Sequence, residues 1–414
     1  MPHPGRPQLR LLAAAVFTLG ISAGAGAQNA AFQDFFFAAC GSATGLLAQR
    51  CAQTDGGQGD LSGDSESSLN PSQALSGTDS AFLAAQQRVQ ELGETLGQKR
   101  DGDGAAPRLT LGPWNLLLNA HGTSVDADRD PNRERERAYE LDEIGLDLGV
   151  DYRINDRLVV GALFHWADSE LSFDREADGV NFSPAADAGS IDGDAYGVTA
   201  YFSSLVGDSA YIDGSVGQTR LQLDLARSAV FQESNRVVPQ TAAVTSAETD
   251  SDQFVATLNA GYSINSGSWE LAAFLGLSYI AIAVDDYAEA DLSDSGLAMQ
   301  FATGDRDSLF GHVGMTTSRP FSMDNWVLLP QLRLEYVEEL SADTTQATAR
   351  YLQDGAANLL ALEGLGEDTS RFDLAVGVSA ILPNGWIPFL EYQQSFGMGD
   401  LDRYSVVAGL RVAL

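Results

Sequence analysis

The sequence predicts an all-β chain closed into an antiparallel, twelve-stranded transmembrane barrel, preceded by one amphipathic α-helix. Three observations predict it. From about Trp114 to Leu414 apolar residues recur at every second position, the spacing of a strand with one dry face. The alternating segments are joined in turn by short turns and by long polar loops. The polar faces carry charges, while tryptophans stand at the ends of apolar faces. An outer-membrane barrel has these properties, since in lipid every backbone group must pair and a sheet can do that only by closing.

The N-terminus opens with "MPHPGRPQLRLLAAAVFTLGISAGAGAQNA". Arg6 and Arg10 precede an apolar run from Leu11 to about Ile21, and Ala25-Gly26-Ala27 suits cleavage before Gln28. Residues 1–27 are therefore expected to be a signal peptide; a retained membrane anchor would need a longer apolar run. Export places the only two cysteines, Cys40 and Cys51, in an oxidising compartment, so they are expected to pair. Closing so short a loop stabilises by about 3 kcal/mol in the chain-entropy model. No histidine lies near them, which speaks against a metal site.

Residues 28–78 read as a short passenger and linker region rich in Gly, Ser, Gln and Asp. Phe32, Phe35, Phe36 and Phe37 with the cysteine pair suggest a small helical hairpin lacking material for a sizeable core. The stretch "GGQGDLSGDSESSLNPSQALSG" reads as linker. Residues 79–101 follow as a helix, because Phe82, Ala85, Val89, Leu92 and Leu96 form one stripe. Thr78, Asp79 or Ser80 would cap its start, and Lys99 and Arg100 suit its C-terminal dipole.

The barrel region, residues 110–414, divides into about twelve segments near 113–123, 139–154, 157–170, 193–204, 208–223, 251–264, 268–283, 305–319, 325–340, 369–382, 386–397 and 403–414. In the second, Ile144, Leu146, Leu148, Val150, Tyr152 and Ile154 share a face opposite Glu143, Asp147, Asp151 and Arg153. In the last, Tyr404, Val406, Leu410, Val412 and Leu414 are read as lipid-facing, with Arg411 on the other side. Asp147, Asp151, Arg153, Arg333, Glu335, Glu391 and Arg411 are accordingly expected to line the lumen, Arg411 meeting one of those carboxylates. Trp114, Trp269, Trp326 and Trp386 beside short turns suggest an interfacial girdle, with Tyr152 and Tyr392 joining it. A soluble β-sandwich would also alternate, but strands this long with aromatic ends favour lipid.

The net charge of −33, with 24 Lys and Arg scattered along the chain, argues against nucleic-acid binding. After the N-terminus no apolar run is long enough for a transmembrane helix.

The segment "LGVDYRINDRLVVGALFHWADSEL" followed by "DAYGVTAYFSSLVGDSAYIDGSVG" resembles the translocator β-domain of bacterial autotransporters. Gly149, Gly161-Ala162, Tyr196 and Asp213-Gly214 carry the likeness, which extends over about residues 110–414. The resemblance implies a barrel that brings an N-terminal passenger to the cell surface, with the helix in or near the lumen as linker. It also implies the outer membrane of a Gram-negative bacterium, a monomer, and contact with membrane lipid, lipopolysaccharide, periplasmic chaperones and the outer-membrane assembly machinery. The chain departs from the family's habit in its Leu414 end, where an aromatic is usual, and in its short passenger.

Catalytic and metal motifs are weak. "GDSES" places Ser65 after Gly-Asp as in surface esterases, but the passenger region lacks histidine, and Ser65 reads as a linker serine. "DADRDPNRERE" begins like a calcium loop, yet Pro131 and Arg137 occupy positions that need Gly and Glu. His121 reads as a lumen or rim residue near Asp126 and Asp128, and His165 and His312 as lumen-facing. The sequence therefore assigns no catalytic, cofactor or metal residues. The alternative to a translocator is a stand-alone barrel, plugged and porin-like, or adhesin-like through its long loops.

Overall fold

A computed structural model describes residues 25–105, 112–129, 137–179, 182–233, 240–342, 345–364 and 369–414. The predicted signal peptide lies largely outside these residues, and the expected cleavage point after Ala27 falls in the first turn of helix α1. Part of the calcium-loop-like stretch after Arg129 also lies outside the described residues.

Twelve long strands run β1 (Trp114–Ala127), β2 (Tyr139–Asn155), β3 (Leu158–Phe173), β4 (Gly189–Val206), β5 (Ala210–Gln232), β6 (Gln240–Ser266), β7 (Trp269–Val284), β8 (Arg306–Ser318), β9 (Val327–Ala342), β10 (Ser370–Ile381), β11 (Trp386–Met398) and β12 (Leu401–Ala413). Each pairs antiparallel with its neighbours in sequence, and β1 pairs β12 from Asn115↔Ala413 to Ala127↔Leu401, which closes the barrel. The predicted fold class is the one observed.

Side chains alternate in and out because the pleat has a period of two. On β2, Ile144 to Ile154 face outward and are exposed at alternate positions. Their span is roughly 34 Å along the strand, or roughly 26 Å at a tilt near 40°, close to the ~25 Å apolar band of outer-membrane barrels. Trp114 and Tyr152, with ring centroids 4.7 Å apart, close the band beside the short turns, together with Trp269 and Trp386. Trp166, Tyr196, Phe372, Phe396 and Tyr404 close it at the other end. Just beyond, Asp142, Glu170, Asp192, Asp224 and Glu248 stand exposed and directly opposite one another across five strands. Like charges in facing positions repel, so this ring must lie in water or among headgroups rather than in hydrocarbon.

At the long-loop end the structure departs from the expected linker. Helices α1 (Ala25–Cys40), α2 (Gly45–Ala52) and α3 (Gly63–Leu69) fold with a four-stranded sheet made by two of the long loops. Its strands are ordered Leu360–Glu363, Gln346–Tyr351, Met299–Thr303 and Tyr287–Ala288. Phe32, Phe36, Leu47 and Leu69 pack in one core with Phe231, Met299, Phe301, Tyr351 and Leu360. Phe35 stacks on Tyr351 with centroids 5.4 Å apart. The N-terminal region has little core of its own because the other half is supplied by the loops. The Cys40–Cys51 disulfide ties α1 to α2 within this head.

The same packing explains why β5 and β6 are longer than expected. Ala226–Gln232 and Gln240–Asp250, read as loop, continue the hairpin above the band, where Phe231 and Ala243 enter the head core. Ser65 is also corrected. It lies in α3, fully buried, and its Oγ accepts from the Gln232 N–H at 2.7 Å, so it is neither a flexible linker residue nor an exposed nucleophile.

The last contact of the head is a turn at Asp354. Its carboxylate accepts from Ser42, from the Ala356 N–H at 3.0 Å and from the Asn358 N–H at 2.7 Å. Burial works to raise this carboxyl, but the hydrogen bonds outweigh it and hold it below the ordinary carboxylate range. A depressed value stabilises the folded state at neutral pH, and that contribution is lost as pH falls from about 4 through the lower folded value. Hydrogen exchange across residues 40–52 of the whole protein should therefore rise as pH drops below about 4, after correction for the intrinsic rate. Asp354→Asn should raise exchange already at neutral pH and flatten the acid dependence.

Candidate functional site

Helix α4 (Gln73–Ala105) runs inside the barrel, and its meeting with the wall is the most elaborate polar arrangement among the described residues. It begins six residues before the predicted Asp79, so Thr78, Asp79 and Ser80 lie within the helix rather than capping it. Near its start Gly77 lies against Leu223 and Leu225, towards the loops. Near its end the Thr95 carbonyl accepts from Arg411 at 3.1 Å, towards the short turns.

The interior is layered. An upper apolar collar packs Ala81, Phe82 and Ala85 against Val125, Leu141, Leu171, Ile191, Leu223 and Ile282. A lower one packs Leu92 and Leu96 against Leu117, Leu163, Tyr201, Phe389 and Val407. The predicted stripe fills these collars, while the polar face of α4 is buried too and is satisfied by the wall. Arg306 reaches Asp79 at 2.9 Å and lies 3.6 Å over the Phe82 ring. Arg371 donates to Gln86 Oε1 at 3.0 Å, and Arg403 donates to Gln90 Oε1 at 3.0 Å. With Arg411 these arginines grip α4 from residue 79 to residue 95, a rise of about 24 Å, the height of the apolar band.

The residues expected to line the lumen are placed as follows. Asp147 lies 2.7 Å from His165 Nδ1. Asp151 accepts from Asn115 Nδ2 at 2.6 Å and from the Tyr201 hydroxyl at 3.4 Å. Arg153 is half-buried at the short-turn end. Arg333 donates twice to Glu335, whose other oxygen lies 2.9 Å from His312 Nδ1. Glu391 is buried beside Gln393. Arg411 was expected to meet a carboxylate; the hydrogen bond described for it goes to a helix carbonyl instead. Tyr404, Val406 and Leu410 point outward on β12, as does Val412, and Leu414 follows the strand.

His121, read as a lumen or rim residue, stands in the lumen. It lies mid-strand and fully enclosed, 3.4 Å from Glu91 and 3.4 Å from Glu143, with its ring stacked 5.6 Å from that of His165. Arg88 reaches His165 Nε2 at 3.5 Å. Room for the ring comes from Gly145, directly opposite on β2, where a Cβ would stand 2.2 Å from His121 Cε1. The Glu143-Gly145-Asp147 alternation was visible in the sequence, but the helix register that adds Arg88 and Glu91 was not.

A closed twelve-stranded barrel with a helix inside defines the class, a plugged outer-membrane barrel. The family model described as autotransporter beta-domain matches residues 119–393, and the chain belongs to that family. Among solved structures it is similar to the translocator domain of autotransporter NalP from Neisseria meningitidis, at 16% identity and a TM-score of 0.54, covering 81% of this chain and 99% of that one. It also matches the beta domain of the Bordetella autotransporter Brka at 14% identity and a TM-score of 0.49, covering 73% of this chain and 100% of that one. A search of curated proteins gave no significant match. Barrels of this family are outer-membrane proteins of Gram-negative bacteria and are typically non-enzymatic.

Removing a wall arginine should loosen the plug. Arg403→Ala leaves Gln90 Oε1 and Ser395 without a buried donor and is expected to cost about 3 kcal/mol, read as a lower urea midpoint of the refolded protein. Arg220→Ala removes an exposed pair with Asp250 and should leave the midpoint nearly unchanged.

Proposed function

We propose that the chain is a self-contained surface-display unit, whose barrel carries residues 28–72 to the cell exterior and keeps them there as a folded head. The observation that carries this reading is the direction of α4. Its N-terminal end meets the wall through Asp79 on the long-loop side, and its C-terminal end through Thr95 on the short-turn side. Long loops face outward in outer-membrane barrels, so the region before α4 belongs outside. Residues 1–27 act in this reading as a signal peptide that leads to the periplasm.

The head is held as well as exported. The Thr44 N–H donates to the Gln353 carbonyl at 2.9 Å, and Arg50 donates to the Ser295 carbonyl and to Thr241, both at 3.0 Å. Ser65 and Ser68 accept from the extended β5. Because the loops complete its core, the segment is anchored and not shed, and it offers a surface built jointly by passenger and loops. Packed collars above and below the polar layer argue against an open porin. Contact with lipopolysaccharide at the acidic ring, and insertion by chaperones and the assembly machinery, belong to the same reading.

The test places an epitope tag just after Gln28 and adds protease to intact cells. The tag should be lost while β1 to β12 remain. Survival of the tag until the outer membrane is breached would place the head in the periplasm and refute the reading.

A further inference from the structure

We propose that Glu91, His121 and Asp147 form a binding site for a divalent cation of the zinc class, which fastens α4 to the barrel wall. One ligand atom from each lies within 4.8 Å of the others, and all three residues are buried. The residues come from three elements, α4, β1 and β2, so a shared ion would join the plug to two strands.

The local geometry suits coordination better than hydrogen bonding. His121 Nδ1 lies 3.4 Å from Glu91 Oε2, well beyond the 2.7–2.9 Å usual for a charge-assisted N–H···O bond. The other ring nitrogen is no better served, since among the described residues each has only a carboxylate at 3.4 Å, although the side chain is fully enclosed. Two ligands each about 2.0–2.1 Å from a tetrahedral zinc stand roughly 3.4 Å apart.

An outer shell is already present. Gln87 Nε2 donates to Glu91 Oε1 at 2.8 Å, leaving Oε2 for the His121 side. His165 bonds Asp147 Oδ1 at 2.7 Å, leaving the other oxygen for a ligand role. The far nitrogen of His121 faces Glu143 Oε1 at 3.4 Å, the carboxylate–histidine–metal order that fixes an imidazole's orientation.

Charge leads to the same species. The pocket gathers the carboxylates of Glu91, Glu143 and Asp147 around the single guanidinium of Arg88. Coordination displaces the His121 proton, and with both imidazoles neutral the balance is two negative charges in an enclosed space, which one divalent cation cancels. One imidazole and two carboxylates fit zinc or cobalt, and they offer no thiolate to a softer metal.

The experiment refolds the whole chain, without a histidine tag, into detergent with Co²⁺, desalts it, and measures metal content and the visible d–d spectrum. Wild type should retain one Co²⁺ per chain with tetrahedral-type absorption, displaced by Zn²⁺, and should melt at a higher temperature with metal than with EDTA. His121→Gln should lower retained metal at least tenfold and abolish the thermal shift, with heat-modifiable migration showing that the barrel has formed. If that variant fails to fold, Glu91→Gln and Gly145→Ala serve instead, the latter displacing the His121 ring without removing a ligand. Wild type refolded with metal but free of it after desalting would overturn the proposal, as would equal retention by wild type and folded variants.

Discussion

Closure of the sheet is the constraint on which the rest depends. Hydrocarbon offers no partner to an amide, so β1 must meet β12, as it does over thirteen registered pairs from Asn115↔Ala413 to Ala127↔Leu401. Closing the sheet fixes a narrow interior, and what enters it must be satisfied as fully as a protein core. Helix α4 can lie there because its own backbone is paired and because the wall answers its side chains level by level. Arg306, Arg371, Arg403 and Arg411 do this at the polar levels, and two apolar collars do it between them. The wall is therefore neither a water-filled channel nor an oily core. It alternates, as the helix inside it alternates.

The outer face follows a simpler rule. Lipid accepts only apolar side chains across the band, and the aromatic residues at each edge mark where water begins. The row from Asp142 to Glu248 begins directly beyond one edge, where facing carboxylates are hydrated. Above it β5 and β6 continue as a ribbon flanked only by the short strand Ala290–Asp291, and a ribbon of two strands is marginal by itself. The head covers it, and in exchange the ribbon's Phe231 helps complete the head's core. Helices, loops and ribbon thus depend on one another, although they lie far apart in the chain.

This interdependence explains what was legible in the sequence. Strands within the band could be read locally, because each carries its own period of two and its own turn. Asp147, Glu335 and Glu391 could be assigned inward for the same reason. The head could not be read, because Phe32 and Phe36 find Tyr351 and Phe301 more than 250 residues later. Likewise 227–232 is buried from both sides above the membrane, and with neither face exposed it loses the alternation that marked the strands below. His121 could be narrowed only to lumen or rim, because the notch that receives it, Gly145, lies on another strand. The partners of Arg371 and Arg403 depend on the axial position of α4, which no local pattern encodes.

The central claim is that α4 occupies the lumen in this register, and cross-linking in cells tests it most directly. A chain carrying Gln86→Cys and Arg371→Cys would be treated in intact cells with a bifunctional maleimide and examined by electrophoresis, the linker standing in for the two long native side chains whose tips touch at 3.0 Å. The structure predicts an intramolecular cross-link between helix and β10, and none when the helix cysteine is moved to position 97. Absence of the first link, with the cysteine at 86 open to thiol reagents from the periplasm, would show that the helix lies outside the barrel and would contradict this account.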